Sequence, residues 1–496
     1  MTDATLIASL TTAPSANGVE LATLPDSVSW LEVRADLLGD LDTDWLRNHF
    51  RGRLSYALRS TEEGGVCKDS VDRRQQRLAR AARYYDGVEL EGDRDLSESL
   101  LAQVPVKKRF VSWHGRPSSL PNLKARFERL ASVPASTYKL VTTETKISDE
   151  LLSLALLKSL SRSDTIAYST GSLGFWSRLA ALQLGAPAIS GLVTKADSDP
   201  AEPTISKLIE DYGLPEVKPA KEIFGIMGNP IFHSLSPRLH NAAYRAMNYP
   251  ALFVPWQVGS FEEFWREIVQ SGSLDALGFS VQGITVASPH KEIALVTAGI
   301  VSPMARCAES ANILVRNNGS WQADTTDPEV IYMATRERSV EIRHKQAAVV
   351  GCGGAGRAIA AALLQSGAGV TLTNRGAERG NHAAKLLGLR YIPLTDFNAA
   401  GYDIVVNATP VGRDDNQAPF DLKTLNDDAV VIDLVYGSRP TPLVDDSLAR
   451  EQVVIDGRDV LLTQVLHQFR MMTGKEMPAG TAMQKLGRRA LTRNDP

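Results

Sequence analysis

The chain of 496 residues has little of several features that mark specialised classes of protein. It has three cysteines, Cys67, Cys307 and Cys352, which are widely spaced and form no Cys-x-x-Cys pair, so we expect reduced thiols rather than disulfides or a zinc cluster. No apolar run approaches the roughly 20 residues that span a bilayer. The first ten residues lack the basic start and apolar region of a signal peptide. We therefore expect a cytoplasmic protein without a structural metal.

The chain also has no large excess of positive or negative charge. The formal net charge is −3, with 22% charged and 43% hydrophobic residues, which excludes a disordered acidic chain and gives no support for polyanion binding. Small molecules are therefore the expected partners, rather than nucleic acid or a membrane, and the oligomeric state stays open. The length is too great for one ordinary core and predicts two or three domains.

A linker at 215–221, which contains two prolines, separates two halves that differ in the pattern of their apolar runs. The N-terminal half, 1–214, contains eight short apolar runs, each followed by a helical pattern, and this alternation predicts a parallel sheet. Eight such units in some 210 residues predict an α/β fold of the closed (β/α)8 barrel type, with its active site at the C-terminal ends of the strands. The predicted strands are 6–10, 30–37, 54–59, 87–91, 109–114, 137–141, 166–170 and 188–193.

Lys139 lies inside the sixth predicted strand, where both the filled barrel interior and the helix layer penalise an ammonium group. We predict that desolvation lowers its pKa, as a Schiff-base lysine requires, because only the free amine attacks a carbonyl. The alternative is a strand-end lysine that reaches solvent. His114, at the end of the neighbouring strand, is placed to move protons, and Arg59 and Arg178 are placed to bind a carboxylate.

A glycine-rich turn marks the C-terminal half. The apolar strand 347–350 leads into a Gly-x-Gly-x-x-Gly turn, made by Gly351, Gly353 and Gly356, which opens an alanine-rich helix. Such glycines allow the tight turn and the close approach of a dinucleotide pyrophosphate, which the helix N-terminus attracts. The turn therefore predicts a dinucleotide-binding Rossmann domain, although a plain packing role for such a turn is the alternative.

The end of the next strand predicts which dinucleotide binds. Arg375 lies 19 residues after Gly356, where a site for NAD would place an acid against the ribose diol. A basic residue there, with Asn374 before it and Arg379 one helical turn later, suits a 2′-phosphate. We therefore predict NADP as the cofactor.

The N-terminal half contains five motifs, at 32–36, 58–65, 112–114, 138–139 and 171–178. In this order and spacing they resemble type I 3-dehydroquinate dehydratase over about residues 1–214. The resemblance implies that Lys139 forms an imine with the ketone of 3-dehydroquinate, that His114 takes the C2 proton and assists loss of the C1 hydroxyl, and that Glu63 helps hold His114. At Glu202 the family has glutamine. The substrate-binding residues that the resemblance implies are Glu32, Arg34, Arg59, Arg178, Ser198 and Glu202.

The C-terminal half contains motifs at 224–230, 233–241, 283–291, 310–313, 324–327, 407–412, 433–436 and 457–464. Together they are similar to those of shikimate dehydrogenase over 222–490. The resemblance implies that Lys291 and Asp327 form a catalytic pair. The substrate-binding residues that it implies are Ser234, Ser236, Thr285, Asn312, Tyr436 and Gln464. The cofactor-binding residues are Gly351, Gly353, Gly354, Ala355, Gly356, Asn374, Arg375, Arg379, Thr409 and Gly457.

Single features of this half have simpler explanations. Ser234 and Ser236 lie on a segment that we expect to be extended before a proline, with both hydroxyls on one side, but Ser236 alone would also serve as a helix cap. Lys291 would serve as a solvated helix-start lysine and Asp327 as a cap. Two departures from the family pattern, Ala287 for threonine and Thr325 for asparagine, would weaken binding or shift it toward quinate.

Together the two resemblances imply a bifunctional enzyme of aromatic amino acid biosynthesis, which dehydrates 3-dehydroquinate and then reduces 3-dehydroshikimate to shikimate with NADPH. The expected domains after the linker are a substrate-binding domain at 222–326, completed by 457–490, and a Rossmann domain at 327–456. A quinate dehydrogenase is one alternative, which Arg375 disfavours. A ligand-sensing regulator is another, which is disfavoured because no basic DNA-binding segment is visible.

Overall fold

The computed structural model describes residues 3–143, 146–171, 174–195, 201–437 and 439–487. Its contacts divide the chain into two units. The first unit comprises 1–223 and 250–280, and the second comprises 224–249 and 281–496. Among the residues described, none of the helices combines the length and the apolar character needed to cross a membrane.

The first unit is built on a parallel sheet, to which the described residues contribute eight strands. They are β1 (Thr5–Leu10), β2 (Val28–Arg34), β3 (Arg53–Ala57), β4 (Gly87–Glu91), β5 (Arg109–Gly115), β6 (Thr137–Thr143), β7 (Thr165–Thr170) and β8 (Ala188–Leu192). Each strand pairs with the next along the chain from β1 to β7, and β8 pairs with β1. The hydroxyls of Tyr168 on β7 and Ser190 on β8 are 3.3 Å apart, so the sheet nearly closes. The predicted (β/α)8 barrel is confirmed.

Helices cover the outside of this sheet. They are α1 (Val19–Ala22), α2 (Ala35–Leu38), α3 (Thr43–His49), α4 (Val71–Tyr84), α5 (Glu98–Leu101), α6 (Leu120–Ala131), α7 (Asp149–Leu160), α8 (Phe175–Gln183) and α9 (Ile205–Tyr212). Helix α4 shows why they form: the Ser70 hydroxyl caps its first turn by accepting the Arg73 N–H, and it buries Leu78 and Ala82 on one face.

The second predicted strand, 30–37, is too long. Strand β2 ends at Arg34, and the chain turns into the short helix α2. This turn brings the Asp36 carboxylate back to the Arg34 guanidinium, which donates two hydrogen bonds of 2.9 and 2.8 Å to it. A bidentate ion pair of this kind holds the chain in the turn, although the apolar run continues beyond it.

The next elements are β9 (Glu222–Gly228), α10 (Ser236–Met247), β10 (Ala251–Gln257), α11 (Phe261–Phe264) and α12 (Ser273–Leu277). The last three lie in the segment 250–280 of the first unit. This segment packs on barrel helices: the Trp256 ring meets the Trp176 ring of α8 edge to face at 6.4 Å, and the Lys158 Nζ of α7 donates to the Ala276 carbonyl at 2.8 Å. The first unit is therefore larger than the barrel alone.

The second unit contains two sheets. The first is mixed and has the order β9-β11-β13-β14-β12 within this unit, with β13 antiparallel to both of its neighbours. Its further elements are β11 (Ser280–Val286), α13 (Lys291–Thr297), β12 (Ile300–Val301), α14 (Pro303–Cys307), β13 (Ile313–Asn317) and β14 (Ser320–Asp324).

The other sheet of this unit is parallel and has the order β17-β16-β15-β18-β19-β20. This is the doubly wound order of a dinucleotide-binding fold, as predicted, and ligands bind such sheets where the order reverses, beside β15 and β18. Its elements are α15 (Thr335–Glu337), β15 (Gln346–Val350), α16 (Gly354–Gln365), β16 (Gly369–Asn374), α17 (Ala377–Leu387), β17 (Arg390–Pro393), β18 (Ile404–Asn407), β19 (Val430–Asp433), α18 (Pro442–Ala449), β20 (Val454–Ile455), α19 (Gly457–Thr473) and α20 (Ala479–Lys485).

Candidate active sites

Lys139 lies at the centre of the barrel, with only 11% of its side chain exposed. Its Nζ donates to Glu32 Oε2 on β2 at 3.3 Å and to Glu89 Oε2 on β4 at 3.1 Å. Burial alone would lower the pKa of Lys139, but the charges of Glu32 and Glu89 outweigh burial and hold this pKa above its ordinary value. The predicted lowered pKa is therefore wrong for the substrate-free site, where the lysine is an ammonium ion.

His114 at the end of β5 is held by Glu63. Glu63 Oε2 accepts the His114 backbone N–H at 2.9 Å and lies 2.8 Å from Nδ1. Because this oxygen already accepts one N–H, we assign the imidazole hydrogen to Nδ1, which leaves Nε2 with its lone pair. Burial, assisted by the charges of Arg59 and Lys139, lowers the pKa of His114 well below its ordinary value, so the imidazole is neutral.

Glu63 is itself buried, and its charge state follows from that. Burial, followed by the charges of Glu91 and Glu89, raises the pKa of Glu63 to about 9. At neutral pH the Glu63 carboxyl therefore carries a proton and still accepts from His114 through Oε2. The His114 Nε2 is buried and, within the described residues, has no hydrogen-bond partner. This is expected of a general base that accepts a proton from its substrate.

The arginines surround this centre. Arg59 NH2 lies 3.5 Å from Glu89 Oε1, and Arg34 is held by Asp36. Arg178 is buried, with its guanidinium 4.7 Å from the centre of the Tyr168 ring. Its NH2 lies 3.4 Å from Glu202 Oε1, so the acid that replaces the family's glutamine forms an ion pair.

The structure thus brings Lys139, His114, Glu63, Glu32 and Arg59 together, whereas Ser198 lies outside the described residues. It also adds Glu89, which the sequence analysis missed. This glutamate is 6% exposed and contacts Lys139 and Arg59. The signal was an acid in the middle of an apolar strand, since a buried carboxylate requires a cationic partner.

In the second unit, Lys291 begins α13 and Asp327 follows β14. Lys291 Nζ donates to Asp327 Oδ2 at 2.9 Å, and only 1% of the Asp327 side chain is exposed. The other carboxylate oxygen accepts from Asn312 Nδ2 at 3.0 Å and from Gln464 Nε2 at 2.7 Å. Four of the predicted residues therefore form one hydrogen-bonded cluster around a buried carboxylate.

Gln468, one turn after Gln464 on α19, extends this cluster and was missed. Its Oε1 accepts the Thr285 hydroxyl at 3.3 Å, and its Nε2 donates to the Thr326 hydroxyl at 3.1 Å. The spacing of four residues on one helix was the available signal. The Thr325 hydroxyl lies 3.5 Å from Asp327 Oδ2, so the residue that replaces asparagine stays close to the carboxylate.

The segment around Ser234 and Ser236 is not extended, and the prediction that it would be is wrong. Leu235 between them has helical backbone angles, and the Ser234 hydroxyl accepts the Ser236 N–H at 3.2 Å as α10 begins. Both serines are buried. The Ser234 side chain also forms a hydrogen bond with Tyr436, whose pKa is raised by burial.

The glycine turn joins β15 to α16. Gly351 has a φ of +106°, which favours glycine, and a Cβ on Gly356 would overlap the Gly351 carbonyl oxygen. A Cβ on Gly354 would overlap the Ser310 hydroxyl and lie 3.4 Å from the Lys291 Cβ, so the turn lies beside Lys291. The first helical hydrogen bond of α16 runs from the Arg357 N–H to the Gly353 carbonyl. The N–H groups before Arg357 in this first turn, including that of Ala355, are therefore available to a ligand.

The other predicted cofactor residues border this turn. Asn374 Oδ1 accepts the Cys352 N–H at 3.2 Å and so ties the end of β16 to the turn. Arg375 and Arg379 are exposed beyond it, and Arg379 NH2 lies 3.4 Å from Glu292 Oε1. Thr409 donates to Asn407 at 2.7 Å. Gly457 begins α19, where a Cβ would overlap the Val435 carbonyl oxygen.

Three family models match the chain. Type I 3-dehydroquinase matches 13–219, the shikimate dehydrogenase substrate binding domain matches 226–314, and shikimate / quinate 5-dehydrogenase matches 333–413. The bifunctional 3-dehydroquinate dehydratase/shikimate dehydrogenase of Arabidopsis thaliana, a chloroplastic protein, is 27% identical over 451 residues, which are 85% of this chain and 73% of that protein.

Two NADP(+) shikimate dehydrogenases match the C-terminal half more closely. The one from Syntrophobacter fumaroxidans is 32% identical over 53% of this chain and 91% of its own length. The one from Methanothrix thermoacetophila is 35% identical over 52% of this chain and 93% of its own length. The chain therefore belongs to the shikimate dehydrogenase family and joins that enzyme to a type I 3-dehydroquinase barrel.

Proposed function

We propose that the barrel dehydrates 3-dehydroquinate to 3-dehydroshikimate through an imine on Lys139, and that the second unit reduces 3-dehydroshikimate to shikimate with NADPH. The observation that carries this proposal is the presence on one chain of two lysine–carboxylate centres. The barrel centre lies inside the region matched by type I 3-dehydroquinase, and Lys291 of the second centre lies inside the region matched by the shikimate dehydrogenase substrate binding domain. The product of the first reaction is the substrate of the second.

In the barrel, the neutral amine of Lys139 attacks the C3 ketone, and water leaves as the imine forms. His114 Nε2 takes the C2 proton, and the electron pair of the broken C–H bond passes into the imine to form an enamine. The enamine expels the C1 hydroxyl, which leaves as water with the proton that His114 returns to it. Water then adds to the product imine, the C–N bond breaks, and 3-dehydroshikimate and the Lys139 amine are released. Glu63 keeps the ring in the tautomer that makes Nε2 the base. Arg34, Arg59, Arg178, Glu32, Ser198 and Glu202 are the proposed substrate-binding residues.

The second unit fits a dinucleotide with a 2′-phosphate. The turn offers a glycine cradle and a helix N-terminus for the pyrophosphate, with two exposed arginines, Arg375 and Arg379, at the end of β16. NADPH supplies the hydride. The residues that would hold it are Gly351, Gly353, Gly354, Ala355, Gly356, Asn374, Arg375, Arg379, Thr409 and Gly457.

On the substrate side, the Lys291 ammonium donates to the ketone oxygen as negative charge builds there, which stabilises the transition state more than the ground state. Asp327 orients that ammonium and accepts from a substrate hydroxyl. Ser234, Ser236, Thr285, Asn312, Tyr436 and Gln464 are the proposed binding residues.

The proposed domains are the dehydratase barrel at 1–214, a linker at 215–221, the substrate-binding domain at 222–326 with 457–490, and the Rossmann domain at 327–456. The limits of the family matches, 219 for the first and 226 for the second, support a boundary in this linker. Because 250–280 packs on barrel helices, we expect a fragment 1–217 to be less stable to urea than the barrel in the whole chain.

The test of the function is to incubate the chain with 3-dehydroquinate and NADPH while following both the enone absorbance and the loss of NADPH. We expect the absorbance to rise when NADPH is withheld, and NADPH to be consumed only after 3-dehydroshikimate has formed or been added. The proposal would be overturned if no enone formed, or if NADPH or NADH were consumed only with the substrates of a quinate dehydrogenase and not with 3-dehydroshikimate.

A further inference from the structure

Glu89 connects the three groups that the dehydration needs. Its Oε2 accepts from Lys139 Nζ at 3.1 Å, and its Oε1 lies 3.5 Å from Arg59 NH2 and 3.9 Å from His114 Nε2. The dehydration mechanism proposed above assigns no role to Glu89. Its carboxylate lies between the atom that must become a nucleophile and the atom that must become a base.

The resting state of Lys139 poses a chemical problem that Glu89 can solve. With two carboxylates beside it, the lysine is an ammonium ion, and its nitrogen has no lone pair with which to attack a ketone. A proton must therefore leave Nζ before the imine forms. The acceptor has to lie within hydrogen-bond distance of Nζ, which only Glu32 and Glu89 do among the described carboxylates.

Glu89 is the better placed of these two carboxylates. Each accepts one further hydrogen bond, Glu32 from Ser9 and Glu89 from Arg59, but Oε2 of Glu89 lies closer to Nζ, at 3.1 Å against 3.3 Å for Glu32. Glu89 has its second oxygen beside Arg59 and His114. Loss of the charge on Lys139 removes the main attraction that keeps Glu89 ionised, and the burial of Glu89 then favours its protonated form.

A cavity of about 550 Å³ provides a path by which this proton can leave Glu89 for solvent. Its inner end is lined by Lys139, Glu32 and Glu89, and its outer end by residues at the starts of the strands, including Arg53 and Thr137. His114 lies at the opposite, C-terminal end of β5. A cavity of this volume with charged and hydroxyl side chains in its lining accommodates water, and a substrate bound at the C-terminal ends of the strands would not block it.

We infer that Glu89 takes the proton of Lys139 and passes it to water in the cavity at the N-terminal face of the barrel. The N–H bond of the ammonium breaks, its electron pair stays on Nζ, and Glu89 Oε2 gains the proton. Water in the cavity then takes that proton, and the carboxylate is restored while the Nζ lone pair attacks the ketone. This inference rests on the proposed imine at Lys139.

The experiment measures the rate of imine formation in the full-length chain. Protein is mixed with 3-dehydroquinate, quenched at intervals into borohydride, and the reduced adduct is followed by intact mass and located by peptide mapping. We expect the rate to fall by about 10²-fold or more in Glu89→Gln, because proton transfer by a positioned group contributes that much. Lys107→Ala, which changes only an exposed residue of the cavity rim, should keep the rate of the unmodified chain.

A second variant tests the route itself. In Glu89→Ala, formate should restore the rate in a saturable manner, because a small carboxylate can enter the cavity and replace the missing one. Thr137→Phe, which places a ring at the cavity wall, should reduce that rescue when combined with Glu89→Ala. Circular dichroism and urea unfolding of each variant, beside the unmodified chain, report that the barrel has folded, because dehydrogenase activity belongs to the second unit.

The possible failures are distinct. If the unmodified chain gives no adduct on Lys139, the proposed function of the barrel is wrong. If it gives the adduct and Glu89→Gln forms it equally fast, Glu89 is not the acceptor. If Glu89→Ala is slow and formate has no effect although the variant barrel is folded, the cavity is not the route.

Discussion

The two halves of this chain both place a lysine against carboxylates, but the two lysines lie in different surroundings. Lys139 has 11% of its side chain exposed and contacts Glu32 and Glu89. Lys291 has 20% exposed and contacts Asp327. The first must give up its proton to become a nucleophile, and the second must keep its proton to polarise a ketone.

This difference shows how one residue type serves two reactions. Two buried carboxylates give the barrel lysine a choice of proton acceptors at its own position. The single carboxylate beside Lys291 is occupied on its other oxygen by two amide donors, from Asn312 and Gln464. These two donors fix the Asp327 carboxylate in an orientation that presents its other oxygen to Lys291.

The comparison is tested most strongly by removing the barrel lysine. Lys139→Met should lower kcat for dehydration by on the order of 10⁴-fold or more, because both the covalent intermediate and the electron sink are lost. Shikimate dehydrogenase activity should stay within about twofold of its original value, which shows that the second unit is unaffected, and urea unfolding of the barrel is the control for its folding. Borohydride with 3-dehydroquinate should no longer add mass to the chain. Retained dehydration, or mass on another lysine, would show that Lys139 is not the nucleophile.

The equivalent change in the second unit should cost less, because it removes a proton donor and not a covalent step. Lys291→Met should lower kcat for reduction of 3-dehydroshikimate by about 10²-fold or more and change KM much less. Asp327→Asn should weaken both parameters. Because the two residues act as a pair, the double variant should be clearly less impaired than the product of the single losses. Losses that simply multiply would contradict the pairing.

Buried histidines allow a comparison by pH. His240 on α10 is fully buried, and burial lowers its pKa to about 3. The unfolded chain binds a proton at this histidine near pH 6.5 and the folded chain does not, so stability is lost as the pH falls below 6.5. Between pH 7 and pH 5 this residue should cost about 2 kcal/mol of unfolding free energy.

Urea unfolding at the two pH values, followed by a probe in the second unit, measures this effect. His240→Gln should lose less stability between pH 7 and pH 5 than the unmodified chain, whatever its stability at pH 7. An equal loss in both chains would mean that His240 is protonated in the folded state. His114 is the corresponding neutral histidine of the barrel, where the same sign applies.

The smallest expected effect concerns the cofactor. If Arg375 binds the 2′-phosphate, Arg375→Asp should weaken NADPH binding roughly tenfold, by about 1.5 kcal/mol, through loss of a charged hydrogen bond at an exposed site. NADH binding should change far less. Because Arg379 contacts Glu292, Arg379→Ala should have a weaker effect than the change at Arg375. Equal losses for NADPH and NADH would show that Arg375 does not recognise the phosphate.

Much of the fold could be predicted from local sequence. Eight apolar runs placed the barrel strands, and the glycines around Gly351 placed the nucleotide turn, since both patterns depend on residues close together in the chain. The end of β2 was predicted too late, because the turn depends on the Arg34–Asp36 ion pair and not on apolar character. The prediction of an extended backbone between Ser234 and Ser236 was also wrong, because Leu235 has helical backbone angles as α10 begins.

The sequence by itself predicted a lysine inside the sixth barrel strand and, through the family resemblance, a pairing of Lys291 with Asp327 in the second half. Only the tertiary structure decided the charge state of Lys139. Its partners Glu89 and Glu32 are 50 and 107 residues away in the chain and meet it only when the barrel curves β2, β4 and β6 toward one axis. Burial can be predicted from a local apolar run. The attraction between charges depends on their distance in space, and that distance is set by the fold.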